Sequence, residues 1–169
     1  MKNIVLTGFM GTGKTEVGRE LSNMLGWELI DVDEEIVKSK KMSINDLFSQ
    51  LGEPVFRDIE TDMIRAVAAH KKSIISTGGG AVLRQENIDV LRESGIIVCL
   101  TASPETILKR TGSNDERPLL KAENQLEKIK ELLDFRKSFY KKADIVIDTE
   151  PKSPRLIAEE IIERVKWQS

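Results

Sequence analysis

The sequence predicts an α/β fold, a mainly parallel five-stranded sheet with helices on both faces. Three observations carry that expectation. Short apolar runs at 2–7, 27–33, 73–77, 96–101 and 145–147 alternate with stretches of helical period, the order that builds parallel sheets through right-handed crossovers. The first run leads straight into Gly8-Phe9-Met10-Gly11-Thr12-Gly13-Lys14-Thr15, which fits G-x-x-x-x-G-K-[ST], a phosphate-binding loop with a strand before it and a helix after it. The first three runs also end in chemically unusual residues: the octet, then Asp31 and Asp33, then Gly78-Gly79-Gly80. In open parallel sheets, ligands sit beyond the carboxyl ends of the strands.

Each element has a local reason. After the octet, Val17, Leu21, Met24 and Leu25 recur at helical spacing, and Gly26 is placed to cap the helix at its C-terminus. A second strand over 27–33 ends in the acidic pair. Ser43, with Asp46 three residues on, starts a helix that Gly52 stops. From Glu53-Pro54 a longer helix carries Val55, Phe56, Ile59, Met63, Ile64 and Val67 on one face. The third strand, from Ser73, runs into the triple glycine, and a helix near 87–93 leads to the fourth. Ser103-Pro104 caps the next helix, with Pro at its first position. Residues 112–124 lose all periodicity and are polar and charged, a mobile loop. A long helix over 125–142, the fifth strand and a helix capped by Ser153-Pro154 complete the chain.

The bulk properties narrow the function. A chain of 169 residues is one domain, 1–169, large enough to bury about 70% of its unfolded surface. A net charge of −2 argues against a nucleic-acid scaffold. The single cysteine, Cys99, cannot form an internal disulfide, and its place in an apolar run marks a buried thiol rather than a nucleophile. No apolar run approaches the ~20 residues of a membrane span, and the N-terminal run is too short for a signal peptide, so the expected location is cytoplasmic.

The residues that carry chemistry start with the octet. Glycines at 8, 11 and 13 let backbone N–H groups turn inward around a phosphate. Lys14 reaches the β- and γ-phosphates, and the Thr15 hydroxyl is a ligand for the Mg²⁺ that bridges them. The third strand lacks the apolar run and Asp of ordinary ATPases of this type, so the magnesium carboxylate falls to Asp31, directly or through water. Asp33 either caps a helix or orients an acceptor hydroxyl and takes its proton. The triple glycine is a flexible turn or a close backbone approach to ligand. Arg57 lies three residues before Glu60, which can hold its fork. Arg136 sits among Leu132, Leu133, Phe135 and Phe139, Arg110 ends a helix, and Arg117 lies in the polar loop. Each is a surface charge when taken singly. Together they could clamp a carboxylate and stabilise transition-state charge. The lone His70 reads as a surface cap at a helix end.

These residues resemble the shikimate kinase family over nearly the whole chain. The likeness rests on GFMGTGKT at 8–15, DVD at 31–33, GEPVFRDIE at 52–60, STGGGAV at 76–82, RPLL at 117–120 and LLDFRKSFYKKAD at 132–144. It implies a P-loop kinase-type sheet like that of nucleoside monophosphate kinases, and Mg²⁺- and ATP-dependent phosphorylation of the 3-hydroxyl of shikimate on the route to aromatic amino acids. It further implies a shikimate-binding region over 33–60 and a lid over 112–124. Carried over by position, Asp33, Arg57, Gly79, Gly80 and Arg136 bind shikimate. Gly11, Thr12, Gly13, Lys14 and Thr15 hold phosphate, and Thr15 with Asp31 holds magnesium. Arg117 is the lid arginine, Arg110 packs on adenine, and the turn from Lys152 to Arg155 is the adenine loop. Lys14, Asp33 and Arg117 are the expected catalytic set. The partners are shikimate and ATP, with no nucleic acid or membrane, in a monomer. The chain departs from many relatives at Ser138, where they carry proline. Competing readings are another small kinase, for gluconate or a nucleoside monophosphate, and a nucleotide-binding regulatory module. The latter would be expected to lose Lys14, Asp33 or Arg117, and all three are present.

Overall fold

A computed structural model describes residues 2–112 and 124–166. The strands β1 (Asn3–Gly8), β2 (Glu28–Asp31), β3 (Ser73–Ser76), β4 (Gly95–Thr101) and β5 (Ile145–Asp148) form one parallel sheet in the order β2-β3-β1-β4-β5. The eight helices of the described residues are α1 (Lys14–Leu25), α2 (Val32–Lys40), α3 (Ile44–Leu51), α4 (Glu53–Ala68), α5 (Gln85–Ser94), α6 (Pro104–Thr111), α7 (Gln125–Tyr140) and α8 (Pro154–Lys166), and a single 3₁₀ turn spans Ala81–Leu83.

Strand alternation sorts the core into two layers. Ile4 and Leu6 of β1, with Ile74, Ile96, Val98 and Leu100, face α1 and α8 through Val17, Leu21, Ile157 and Ile161. Val5, Ile75, Ile97 and Cys99 point the other way, onto α2 to α7. Successive side chains of a strand take opposite faces, so near-continuous Val and Ile runs are what a sheet covered on both sides requires. Cys99 is fully buried, and burial pushes its thiol up to about 11, as befits a packing residue.

Several boundaries differ from the sequence expectation. The second strand stops at Asp31, and Val32 already begins α2, a helix the periodicity did not single out. Asp31, not Asp33, is its cap: the Asp31 Oδ1 accepts from the Asp33 and Glu34 backbone N–H groups at 3.0 and 3.2 Å. Met24 and Val55, assigned to buried faces, are exposed. On α4 the inward face instead takes Arg57, Glu60 and Thr61 alongside Phe56 and Ile64. The Ser43 and Ser103 caps form as expected, each accepting from the N–H three residues on. His70 follows α4 at the surface, its Nδ1 3.9 Å from a Glu28 carboxylate oxygen. Most of the loop 112–124, with Arg117, lies outside the described residues.

β1 and β3 are tied at their amino ends by one buried side chain. The Asn3 amide donates to the His70 carbonyl at 2.7 Å, and its Oδ1 accepts from the Ser73 backbone N–H at 3.1 Å. Both groups precede or open β3, so this bridge sets its entry into the sheet. Asn3→Ala leaves the buried Ser73 N–H without its partner, frees the partly buried His70 carbonyl, and should cost about 1–3 kcal/mol. Urea unfolding checks this. An unchanged midpoint would mean that the bridge does not hold the strand.

Candidate active site

The phosphate loop leaves the central strand, with β3 and β2 on one side and β4 and β5 on the other. Loops from both sides therefore meet over it, and a cavity of about 1140 Å³ opens there. That is above the usual range for one small ligand, and its two ends differ in chemistry.

At the middle, Gly8, Gly11 and Gly13 all take positive φ, as the octet predicts. Gly8 also has no room for a side chain, since a Cβ would collide with the Leu100 carbonyl oxygen. Gly13 is the left-handed cap of α1, so the first turn of that helix lines the cavity with the loop. Lys14 lies along the loop, its Nζ donating to the Gly8 and Phe9 carbonyls at 2.9 and 3.0 Å. The Thr12 hydroxyl is turned inward to the Phe9 carbonyl, while Thr15 and Asp31 both line the cavity.

The β4–β5 end holds Arg110, Thr149, Lys152, Pro154 and Ile157. Arg110 donates to the Gly11 carbonyl at 3.1 Å and to the Thr149 hydroxyl at 3.3 Å. Lys152 pairs with Glu160 at 2.6 Å. Thr149 had no distinguishing signal in the sequence.

The β2–β3 end is a cluster of charges held out of water. Arg57 is 8% exposed and donates to Glu60, itself 1% exposed, at 2.6 Å. Its guanidinium also lies 5.3 and 5.7 Å from the rings of Phe56 and Phe48. Arg136, 3% exposed, has its guanidinium 5.4 Å from the Phe9 ring. Among the described residues its Nε and Nη1 have no hydrogen-bond partner, and neither does the Arg57 Nε. Burial drives Asp33 up to about 6, helped by the Asp31 carboxylate, while Lys14 and Arg57 pull it back. Burial likewise raises Glu60 above the usual carboxylate range, against the opposing pull of Arg57.

The triple glycine threads between these groups. A Cβ on Gly78 would stand 3.1 Å from Asp33 Oδ1 and from Glu60 Oε1, and one on Gly79 3.3 Å from Arg136 Nη1. One on Gly80 would overlap the Arg57 guanidinium. The close approach expected of this turn is thus made first to the site's own charged side chains. None of the three takes a positive φ, so crowding, severe at Gly80 and milder at Gly78 and Gly79, and not backbone conformation favours glycine here.

Lys14, Thr15, Asp31, Asp33, Arg57, Gly79, Gly80, Arg110, Arg136 and Lys152 therefore line one cavity, with Gly11, Thr12 and Gly13 at its centre. The aromatic partners Phe9, Phe48 and Phe56 were read at most as core. A ring that faces a cation has the same helical spacing as one that faces leucine, so periodicity could not separate them.

The chain is similar to known proteins over nearly its whole length. The family model described as shikimate kinase matches residues 10–166. The chain is 51% identical over 162 residues to a shikimate kinase of Thermodesulfovibrio yellowstonii, spanning 96% of this chain and 94% of that protein. It is 49% identical, with the same coverage, to one of Caldicellulosiruptor bescii. A solved shikimate kinase from Acinetobacter baumannii in complex with shikimate superposes with a TM-score of 0.95 at 36% identity, covering 100% of this chain and 95% of that one.

The raised Asp33 carboxyl has a consequence for stability. The unfolded chain releases this proton near the ordinary value of 3.8, the folded one only near 6. Between those values the folded state binds more protons, so stability falls as pH rises. Asp33→Asn has no such proton to lose. Its melting temperature should exceed the wild type's by more at pH 7.5 than at pH 4, in thermal scans at matched salt. A difference independent of pH would contradict the buried, disfavoured carboxylate.

Proposed function

This chain belongs to the shikimate kinase family, and from that premise we propose that it uses ATP to phosphorylate the 3-hydroxyl of shikimate and that its two-ended cavity divides the work. The single observation that carries the assignment is Arg136: a buried guanidinium with two N–H groups unpartnered among the described residues, in one cavity with Asp33. An isolated buried cation is costly, and a carboxylate placed against it would relieve that cost. Shikimate carries one carboxylate, remote from the hydroxyl that reacts. Arg136 and Arg57 hold it, with the Gly79 and Gly80 backbone beside the ring, over the region 33–60 and its neighbours. A carboxylate clamp alone would also suit gluconate, and the family match is what favours shikimate over it.

Asp33 then meets the acceptor hydroxyl. A carboxyl poised near 6 is ionised at neutral pH and still basic enough to take a proton as the new oxygen–phosphorus bond forms. Lys14 leaves its loop carbonyls for the β- and γ-phosphates and stabilises charge on the transferring group. Arg117, on its sequence context alone, supplies a second cation to that charge, and the segment 112–124 is assigned as the lid. Arg110, with Lys152 and the turn beyond it, takes the adenosine end.

Mg²⁺ fits the oxygen donors present. Thr15 and Asp31 are a hydroxyl and a carboxylate, the hard ligands it prefers, and among the described residues no three His, Cys, Asp or Glu cluster to make a metal centre of their own. The ion would thus share its sites with nucleotide phosphates and would neutralise their charge. One Asp31 oxygen is already engaged as the α2 cap, which fixes the carboxylate for this task. The reading extends to a cytoplasmic monomer acting on small molecules and not nucleic acid, in keeping with the net charge of −2. Size-exclusion chromatography tests the oligomeric part.

Two experiments test the assignment. Arg136→Lys keeps the charge but loses the planar fork, so shikimate affinity should fall about ten- to a hundredfold while ATP affinity barely changes. Unchanged shikimate affinity would put the acceptor elsewhere. For the wild type, kcat/KM for shikimate should decline as pH drops below about 6, because protonated Asp33 cannot accept the hydroxyl proton. Asp33→Asn should lose about 10²–10⁴ in kcat and retain its fold. A loss below tenfold would leave Asp33 no part in the proton transfer.

A further inference from the structure

We infer that Tyr140 is a positioning residue for the acceptor: its hydroxyl pins the Gly78–Gly80 turn to α7, fixing the distance between that turn and the Arg136 guanidinium. This rests on the reading that Arg136 holds the shikimate carboxylate.

Three observations support it. Tyr140 lies four residues after Arg136 on α7, so the two occupy one helix face, and both are buried, at 8% and 3% exposure. The Tyr140 hydroxyl donates to the Gly79 carbonyl oxygen at 2.8 Å, across 61 residues of sequence. Gly79 is the glycine whose missing Cβ would stand 3.3 Å from Arg136 Nη1, 3.4 Å from the Gly8 carbonyl oxygen and 3.5 Å from the Met10 backbone nitrogen. The tyrosine therefore closes a short circuit. Arg136 approaches the turn from one side, the phosphate loop backs it from another, and the phenol ties the turn to the helix that carries Arg136. Burial pushes the phenol up to about 12, against the opposing effect of the nearby guanidinium, so it remains a protonated donor throughout the working pH range. Neither reacting group is within its hydrogen bonds, so its effect on turnover is through placement.

The turn has few other ties of this kind. The Gly78 and Gly80 carbonyls accept from Ala81 and Leu83 within the adjoining 3₁₀ turn, which shapes it locally without anchoring it to α7. Losing one hydroxyl should thus let the turn and the guanidinium drift relative to each other while the phosphate loop keeps its own bonds.

Tyr140→Phe keeps the ring and deletes only this donor. Steady-state kinetics should show KM for shikimate raised about three- to tenfold, the range expected for one lost hydrogen bond, with kcat and KM for ATP within about twofold of wild type. Unchanged shikimate KM would overturn the inference. So would a parallel loss in all constants together with lowered thermal stability, since that marks a purely structural role. Tyr140 is the only tyrosine of the chain, which permits a second measurement without any mutation. Uniform 3-fluorotyrosine labelling gives one ¹⁹F resonance that should shift on saturation with shikimate and move little with a non-hydrolysable ATP analogue. No shift with shikimate would also overturn it. Arg136→Lys, assayed in parallel, separates the two levels. If it weakens shikimate binding and Tyr140→Phe does not, only the tyrosine's role fails; if Arg136→Lys has no effect, the acceptor site itself is misassigned.

Discussion

Two guanidinium groups held out of water beside the carboxyl edge of a parallel sheet set the terms for everything around them. A buried cation is tolerable only with a carboxylate, an aromatic face or a ligand against it. Arg57 has the first two, in Glu60 at 2.6 Å and the rings of Phe48 and Phe56. Arg136 has the Phe9 ring and two donors that the described residues leave unmatched. The asymmetry is informative: one arginine is braced by the protein, while the other keeps two buried nitrogens unpartnered among the described residues, which is the ground for proposing it as the anion-binding group.

That requirement reaches into the backbone. The glycine turn passes so close to these groups that a Cβ would overlap the Arg57 guanidinium at Gly80 and crowd Asp33, Glu60 and Arg136 at Gly78 and Gly79. It follows β3 directly, beside the central strand that launches the phosphate loop, so the charge cluster and the loop are fixed to one sheet edge. Parallel strands put all their carboxyl ends on that edge, which is why residues from widely separated stretches converge there.

The same cluster works against stability. Asp33 and Glu60 both hold protons more tightly than free carboxyls do, which means that their ionised forms are disfavoured by the fold. A structure selected only for stability would replace them with apolar side chains. Their retention makes sense where an ionised group of raised basicity is needed next to a reacting hydroxyl, and where a guanidinium must keep its orientation without a ligand.

Much of this was legible in the sequence. Alternation of apolar runs and helical periods is a local property, and it determined the sheet, its two covered faces and most of the helices. The octet determined the phosphate loop, because its glycines, lysine and threonine are demanded by backbone geometry and charge over eight adjacent residues. The family motifs singled out Asp33, Arg57, Gly79, Gly80 and Arg136, which the fold brings to line one cavity. What the sequence could not decide depends on contacts between distant stretches. The cap of α2 moved from Asp33 to Asp31 because the strand stopped two residues early, where pairing with β3 ends. Phe9 became a face for Arg136 because the phosphate loop and α7, far apart in sequence, were folded together, and Phe48 became one for Arg57 because α3 packs against α4. Tyr140 found its acceptor 61 residues away. At Gly78–Gly80 it is crowding, severe at Gly80 and milder at the other two, and not a positive φ that favours glycine, which only the packed side chains around them could determine.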